Sequence, residues 1–451
     1  MSEATDVEAV GSTDETAVPR LVDGVRLCGE YEGGGYAEPR YLVSRADGQM
    51  VLVSPLLYQV ASEIDGQRTL REVAERVTLA QDKEVSPTGV EYLVNKKLHP
   101  MGVATLSEPV PDPPRARPLL SLALHRVLLP GPVVRAIAPI FAPFYRPTAI
   151  AIMICAFVAV DGWLVWNGGI DAAFHRSAGD PVLVLSLMAL WVGSTLFHEF
   201  GHAAGCHYGG ARPGAIGVGI LILYPCFYTN VTDAYRLDRR GRLRTDLGGI
   251  YFNAIFIVAT AGVYAVTHYP PLLVFMVLNH LQMLQQLLPL LRLDGYYILG
   301  DLVGVPNLFA FVRPVLQRMK GKRVPQTHQL NPRVRAMVTT WVLIVVPVLI
   351  IALVSLLIRL PYYLATGTAQ AWRYGEVAMN AVSQGHVAVV LLAIFSVVVL
   401  MLPWLGATAF AIRTGRRVAK MINRHRRRRA IRPPRGRHRR RTERPGSFQP
   451  S

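Results

Sequence analysis

Long apolar runs dominate this chain from residue 148 onward. Six of them, near 148–167, 182–206, 247–267, 271–299, 336–358 and 386–411, reach or exceed the ~20 residues a helix needs to cross a bilayer core. A further stretch, Ala215–Tyr228, is apolar but short and rich in Gly and Pro. Its backbone can enter a membrane only where protein or water satisfies it, so it reads as a re-entrant or sheet-like insert. The pattern therefore predicts a multi-pass α-helical membrane protein of about six spans, with its membrane domain over residues 148–412.

Ahead of the spans the periodicity shortens. Residues 1–20 are polar and acidic and are expected to form a disordered leader. Residues 21–107 have the marks of a small α+β domain. Arg40–Ser44 and Gln49–Ser54 have strand composition and flank Ala46-Asp47-Gly48, a hairpin signal. A helix is expected from Pro55 to Ile64, stopped by Asp65-Gly66. Thr69-Leu70-Arg71-Glu72 is a capping box for a second helix to about Val77. Ser86-Pro87 opens a third, to about Leu98, and Met101–Leu106 returns as a strand. Strands with three short helices suggest a winged-helix arrangement. Gly33-Gly34-Gly35 lacks the Lys-Ser/Thr of a phosphate loop and reads as a flexible turn. Residues 108–147 form a proline-punctuated linker. There Leu119–Leu129 and Val133–Phe144 mix apolar patches with His125, Arg126 and Arg135, as interfacial segments do.

Composition agrees with a membrane protein: 51% of the 451 residues are hydrophobic and the mean hydropathy is +0.29. Residues 2–18 hold no apolar core segment, so the internal spans are expected to drive insertion. The four cysteines, Cys28, Cys155, Cys206 and Cys226, form no C-x-x-C pair and suggest neither a zinc finger nor a disulfide framework. The net charge of +18 is localised. Residues 413–451 carry sixteen Arg or Lys against one Glu, leaving +3 for the rest. This tail is expected to be disordered, to favour the cytosolic side and to attract anionic lipids. It has only Phe448 to stack on a base, so nucleic acid is not the expected partner. Loops Arg236–Arg244 and Arg313–Arg335 are also basic, whereas 168–180 and 360–385 are not. Six spans in a cell (inner) membrane with both termini cytosolic satisfy all of these charges.

Chemistry is concentrated where an apolar run meets polar residues. No charge occurs from Pro181 to Phe197, and then comes His198-Glu199-Phe200-Gly201-His202. Ionisable groups are costly in a bilayer and mark function. Residues four apart share a helix face, so His198 and His202 can grip one zinc ion with Glu199 beside it as general base. A tetrahedral site with one open position needs a third protein ligand. Asp294, in Leu293-Asp294-Gly295-Tyr296-Tyr297, is the best candidate. His280 and Asp301 are rivals. His280 lies fourteen residues earlier, about 21 Å along a straight helix, so it and Asp294 do not easily share an ion.

Over residues 181–305 these motifs resemble the site-2 protease family of intramembrane zinc metalloproteases. The resemblance rests on the HEFGH helix, on Asn253 in Gly248-Gly249-Ile250-Tyr251-Phe252-Asn253, and on the Pro289–Gly295 segment ending in Asp-Gly. It implies zinc held by His198, His202 and Asp294, peptide hydrolysis with Glu199 as base, and contact between Asn253 and the substrate backbone or reacting carbonyl. It also implies that the region around Ala215–Tyr228 flanks the active site and can pair with an extended substrate. Gly249 stands where a proline often precedes the asparagine, and Tyr296-Tyr297 resembles a bacterial peptide zinc metalloprotease subgroup. Tyr41–Leu106 resembles the PqqD-like peptide-recognition domain, through Val53-Ser54-Pro55, Ile64-Asp65-Gly66 and Thr69-Leu70. Such modules bind leader peptides of ribosomally made, post-translationally modified peptides by strand addition. Together the resemblances imply capture of a precursor and removal of its leader near the cytosolic membrane face. Two alternatives are a site-2-type protease cutting a membrane-bound regulator and an idle peptide-binding membrane protein for export or immunity. The intact Glu199 argues against the idle form.

Overall fold

A computed structural model describes residues 14–80, 84–106, 123–167, 169–221, 224–321 and 324–401, with isolated positions thereafter. The start of the acidic leader and most of the basic tail lie outside the described residues. The chain is mostly helical, with small sheets in its first half.

The N-terminal unit has strands β1 (Arg20–Leu21), β2 (Arg26–Glu30), β3 (Tyr41–Ser44) and β4 (Met50–Val53), then helices α1 (Pro55–Glu63), α2 (Leu70–Ala80) and α3 (Pro87–Leu93). A π-helical turn, Val94–Leu98, leads into the short α4 (His99–Met101) and strand β5 (Ala104–Thr105). Strands β2, β3 and β4 form one antiparallel sheet and β1 pairs with β5. The caps are those the sequence offers. Ser54 Oγ accepts from Leu57 N, Ser86 Oγ accepts from Gly89 N, and the Thr69–Glu72 box closes in both directions. Val43, Val53, Val60, Leu70, Val73, Val77, Val90 and Leu98 fill the core. Each such side chain contributes about 1.5–3 kcal/mol by leaving water. The leader was expected to stay disordered to residue 20, but its end is bound: Leu70 N donates to Ala17 O, and β1 pairs with β5. Orphan amides at the start of α2 give that segment a partner.

Among the described residues, four helices are long and apolar enough to cross a membrane: α6 (Pro147–Asn167), α8 (Pro181–Tyr208), α10 (Gly248–Thr267) and the first part of α15 (Pro332–Ser383). A bent pair, Asp294–Val303 with Leu308–Met319, makes up to five. Between α6 and α8 lies α7 (Ile170–Gly179).

The expected single span 271–299 is instead broken. Helix α11 (Pro270–Leu287) stops one residue short of Leu288, and α12 (Asp294–Val303) starts afresh at Asp294. Leu288 precedes Pro289 and is extended, as proline demands of the residue before it. After α12 come α13 (Val312–Met319) and α14 (Pro325–His328). The segment 360–385, expected as a loop, continues α15 to Ser383. Pro361 removes one hydrogen bond but does not end the helix. A shorter apolar helix, Val387–Met401, covers the described part of the 386–411 run.

The two segments expected to lie in the interface pack with one side on the protein and keep Val127, Leu128, Val133 and Ile140 exposed. Leu119–Leu129 contributes β6 (Ala123–Leu129), which pairs with β7 (Ile216–Leu221), and β7 pairs with β8 (Tyr224–Thr229). The Gly-rich insert is thus sheet-like, with β7 paired on both edges and β8 on one. Val133–Phe144 forms most of α5 (Gly131–Phe141), which buries Val134 and Ala138 in a cluster with Phe200, Ala203 and Phe252.

Gly33-Gly34-Gly35 does not form a free turn. Gly35 N donates to Gly304 O, and Ala37 N donates to Gln329 O. Tyr36 bridges to Leu330, and Arg40 Nη2 reaches Gln329 Oε1 at 3.2 Å. The glycines are needed there: a Cβ on Gly35 would overlap the Val303 carbonyl.

Candidate metal centre

Helix α8 carries His198 and His202 on the face that meets α10. Small residues let backbones touch: a Cβ on Gly201 would overlap the Gly248 carbonyl at the start of α10, and one on Gly205 would lie 3.0 Å from Arg244 O in the preceding helix. Tyr145 fixes the crossing by donating to Gly201 O at 2.7 Å. Gly249 lies directly against the two imidazoles, where a Cβ would overlap both rings.

The break after α11 turns Asp294, the first residue of α12, toward α8. Its Oδ2 lies 3.2 Å from His198 Nε2 and its Oδ1 lies 3.4 Å from His202 Nε2. The two Nε2 atoms are themselves 3.2 Å apart. Donors held about 2.0–2.2 Å from a common ion in a tetrahedron stand roughly 3.3–3.5 Å from one another. The three side chains therefore already have the mutual spacing of a small metal shell, and the group could hold a metal ion. All three are largely removed from solvent, with His198 only 2% exposed.

Surrounding contacts orient the donors. His202 Nδ1 donates to Thr245 O at 2.8 Å, in α9 (Arg239–Asp246), which leaves Nε2 free to act as a ligand. Glu199 is buried beside the histidines, and Thr229 Oγ1, at the end of β8, donates to Glu199 Oε2 at 2.6 Å. Neither partner carried a signal in the sequence. Thr229 closes an apolar hairpin and Thr245 sits in a basic helix, and only the fold sets them against the histidine helix.

The rivals for the third position are otherwise engaged. His280 Nδ1 meets Met276 O at 2.7 Å and its Nε2 meets Asp161 Oδ1 at 2.9 Å. Asp301 Oδ1 accepts from Arg242 Nε and from Tyr31 OH, both at 3.1 Å. Asn253 is fully buried one turn beyond Gly249. Its Nδ2 donates to Gln286 Oε1 at 3.2 Å, while its Oδ1 has no hydrogen-bond partner among the described residues.

Compared with protein families, curated proteins and solved structures, the chain matches none of them. What can be said of function rests on the residues themselves.

Asp246, the last residue of α9, adds an electrostatic feature behind the centre. Burial, reinforced by the charge of Asp301, pushes its carboxyl well above the usual carboxylate range. Asp301 itself is paired with Arg242 at 3.1 Å.

Proposed function

We propose that this protein is an intramembrane zinc metalloendopeptidase of site-2 protease type. It would cleave a small ribosomally made, post-translationally modified precursor peptide, removing its leader near the cytosolic membrane face. The observation that carries this reading is the buried His198–His202–Asp294 trio at metal-shell spacing, with a carboxylate base next to it in sequence and in space.

The donor set, two imidazoles and a carboxylate on an H-E-x-x-H helix, suits zinc. Zinc supplies a Lewis acid that polarises a carbonyl and makes water a nucleophile near neutral pH. The remaining work falls to the chain. Glu199 accepts a proton from the attacking water and returns it to the leaving amine. Thr229 holds the Glu199 carboxylate, and the Thr245 carbonyl fixes the tautomer of His202. Of the two roles implied for Asn253, contact with substrate backbone fits better, because its unpartnered Oδ1 can accept a peptide N–H. The N-terminal unit, read as a PqqD-like winged-helix module, would hold the leader peptide. The basic loops and tail support six spans with both termini cytosolic.

The test is Glu199→Gln, with zinc content and cleavage of a labelled unfolded protein such as casein measured in detergent. Removing a base but no ligand should leave zinc bound and lower cleavage by about 100-fold or more. Undiminished cleavage would remove Glu199 from the mechanism.

A further inference from the structure

The N-terminal unit and the metal centre meet through one buried polar cluster. Asp301 lies seven residues after Asp294 on α12, about 10 Å along the helix. Its carboxylate takes a hydrogen bond from Tyr31, the residue that follows β2, and an ion pair from Arg242 of α9. Arg242 is 1% exposed, stacks 4.2 Å from the centroid of the Tyr31 ring and donates to Glu32 O at 2.9 Å. Asp301 also faces Asp246, next to the Thr245 whose carbonyl holds His202. At the far end of α12, Gly35 N donates to Gly304 O, and a Cβ on Gly304 would overlap Gly33 and Gly35. Arg239 adds bonds to the carbonyls of Asp301 and Leu302. Residues 31–40 thus form a strap over the C-terminal half of the helix whose first residue is the third metal donor.

We propose that this strap is a positioning element of the metal centre. Seated, it fixes α12 so that Asp294 meets His198 and His202; lifted, it frees the third donor and weakens metal binding. The inference rests on the reading of the trio as a metal site, but not on protease activity. Leu293 gives α12 no side-chain cap, and its first turn is held by packing, with Gly295 against the Leu287 carbonyl and Tyr296 among Phe309 and Trp341; the polar contacts of the strap hold its other end. Losing the strap takes the Tyr31 hydroxyl from Asp301 and the Glu32 carbonyl from Arg242, so a buried ion pair is left short of two hydrogen bonds where α12 contacts α9. By linkage, metal must in turn favour the seated strap. One consequence differs from the expectation for two independent domains: deleting residues 21–107 should also weaken the metal site.

The experiment uses the full-length protein in detergent and zinc alone as probe, with affinity read by chelator competition. Gly35→Ala places a methyl group against the Val303 carbonyl without straining its own backbone and should weaken zinc by about tenfold, the scale of a lost outer-shell contact. Tyr31→Phe, which removes only the hydroxyl, should weaken it several-fold. Gly48→Ala is the control: it strains a positive-φ turn of the same domain but touches nothing within 4 Å. It should leave zinc affinity unchanged. Hydrogen exchange at the Gly35 and Ala37 amides should slow when zinc is added to the wild type. Unchanged zinc affinity in both strap variants, or equal loss in Gly48→Ala, would overturn the proposal. Failure of the wild type itself to bind zinc would instead overturn the metal-site reading.

Discussion

At the residue scale, the neighbours of the motif set its chemistry. Glu199 alone in an apolar helix would be a desolvated charge; Thr229 gives it a hydrogen bond and a fixed direction. Thr229→Val keeps the shape and removes the donor. On the proposed protease reading, cleavage should fall about tenfold while metal content stays level, which paired kinetic and metal analyses can read. Asp246 gives a pH prediction. Its folded-state pKa is raised, so above the ordinary carboxylate value of ~3.9 the folded chain holds a proton that the unfolded chain has released. Stability from this group is complete below that value and declines as pH rises toward the folded pKa, by up to about 1.4 kcal/mol per pH unit. Asp246→Asn should flatten the decline, with a series of thermal melts from about pH 4 upward changing less with pH than in wild type. Parallel melting curves for the two proteins would show that Asp246 ionises normally.

At the element scale, two features make the centre: the glycine-lined crossing of α8 and α10, and the proline-induced break before α12. Gly249→Ala tests the first. Alanine is a better helix former than glycine, so α10 should keep its helicity. The added methyl group meets both imidazoles, and zinc affinity should fall by at least about tenfold. Circular dichroism with metal analysis separates these two effects. The second feature explains why Asp294 can be a ligand at all. On one unbroken helix over 271–299, its direction would follow from the helix phase. As the first residue of a new helix its direction is set by the break, and it turns toward the histidines.

At the scale of the whole molecule, the membrane part and the N-terminal unit share a buried cluster at Arg242 and Asp301, so they do not act as beads on a linker. The proposed topology remains a separate matter of charge. Reporters active only in the cytosol, fused to each end, should both give signal. A C-terminal reporter active only outside would mean an odd number of crossings.

The sequence by itself determined what is local. Apolar run lengths located α6, α8, α10 and the start of α15, because a span is a property of about twenty consecutive residues. Caps at Ser54, Thr69 and Ser86 placed the three helices of the N-terminal unit for the same reason. Spacing put His198 and His202 on one face, since four residues make about one turn. The sequence misjudged segments whose state depends on a distant partner. Ala123–Leu129 becomes a strand only because β7 is there to pair with it, and residues 14–21 are held by α2 and β5. The sequence favoured Asp294 over His280 and Asp301, and tertiary structure supplied the physical reason, since acceptable ligand types differ in what surrounds them. Arg242 and Tyr31 claim Asp301, Asp161 claims His280, and Asp294 alone of the three is left facing the histidines.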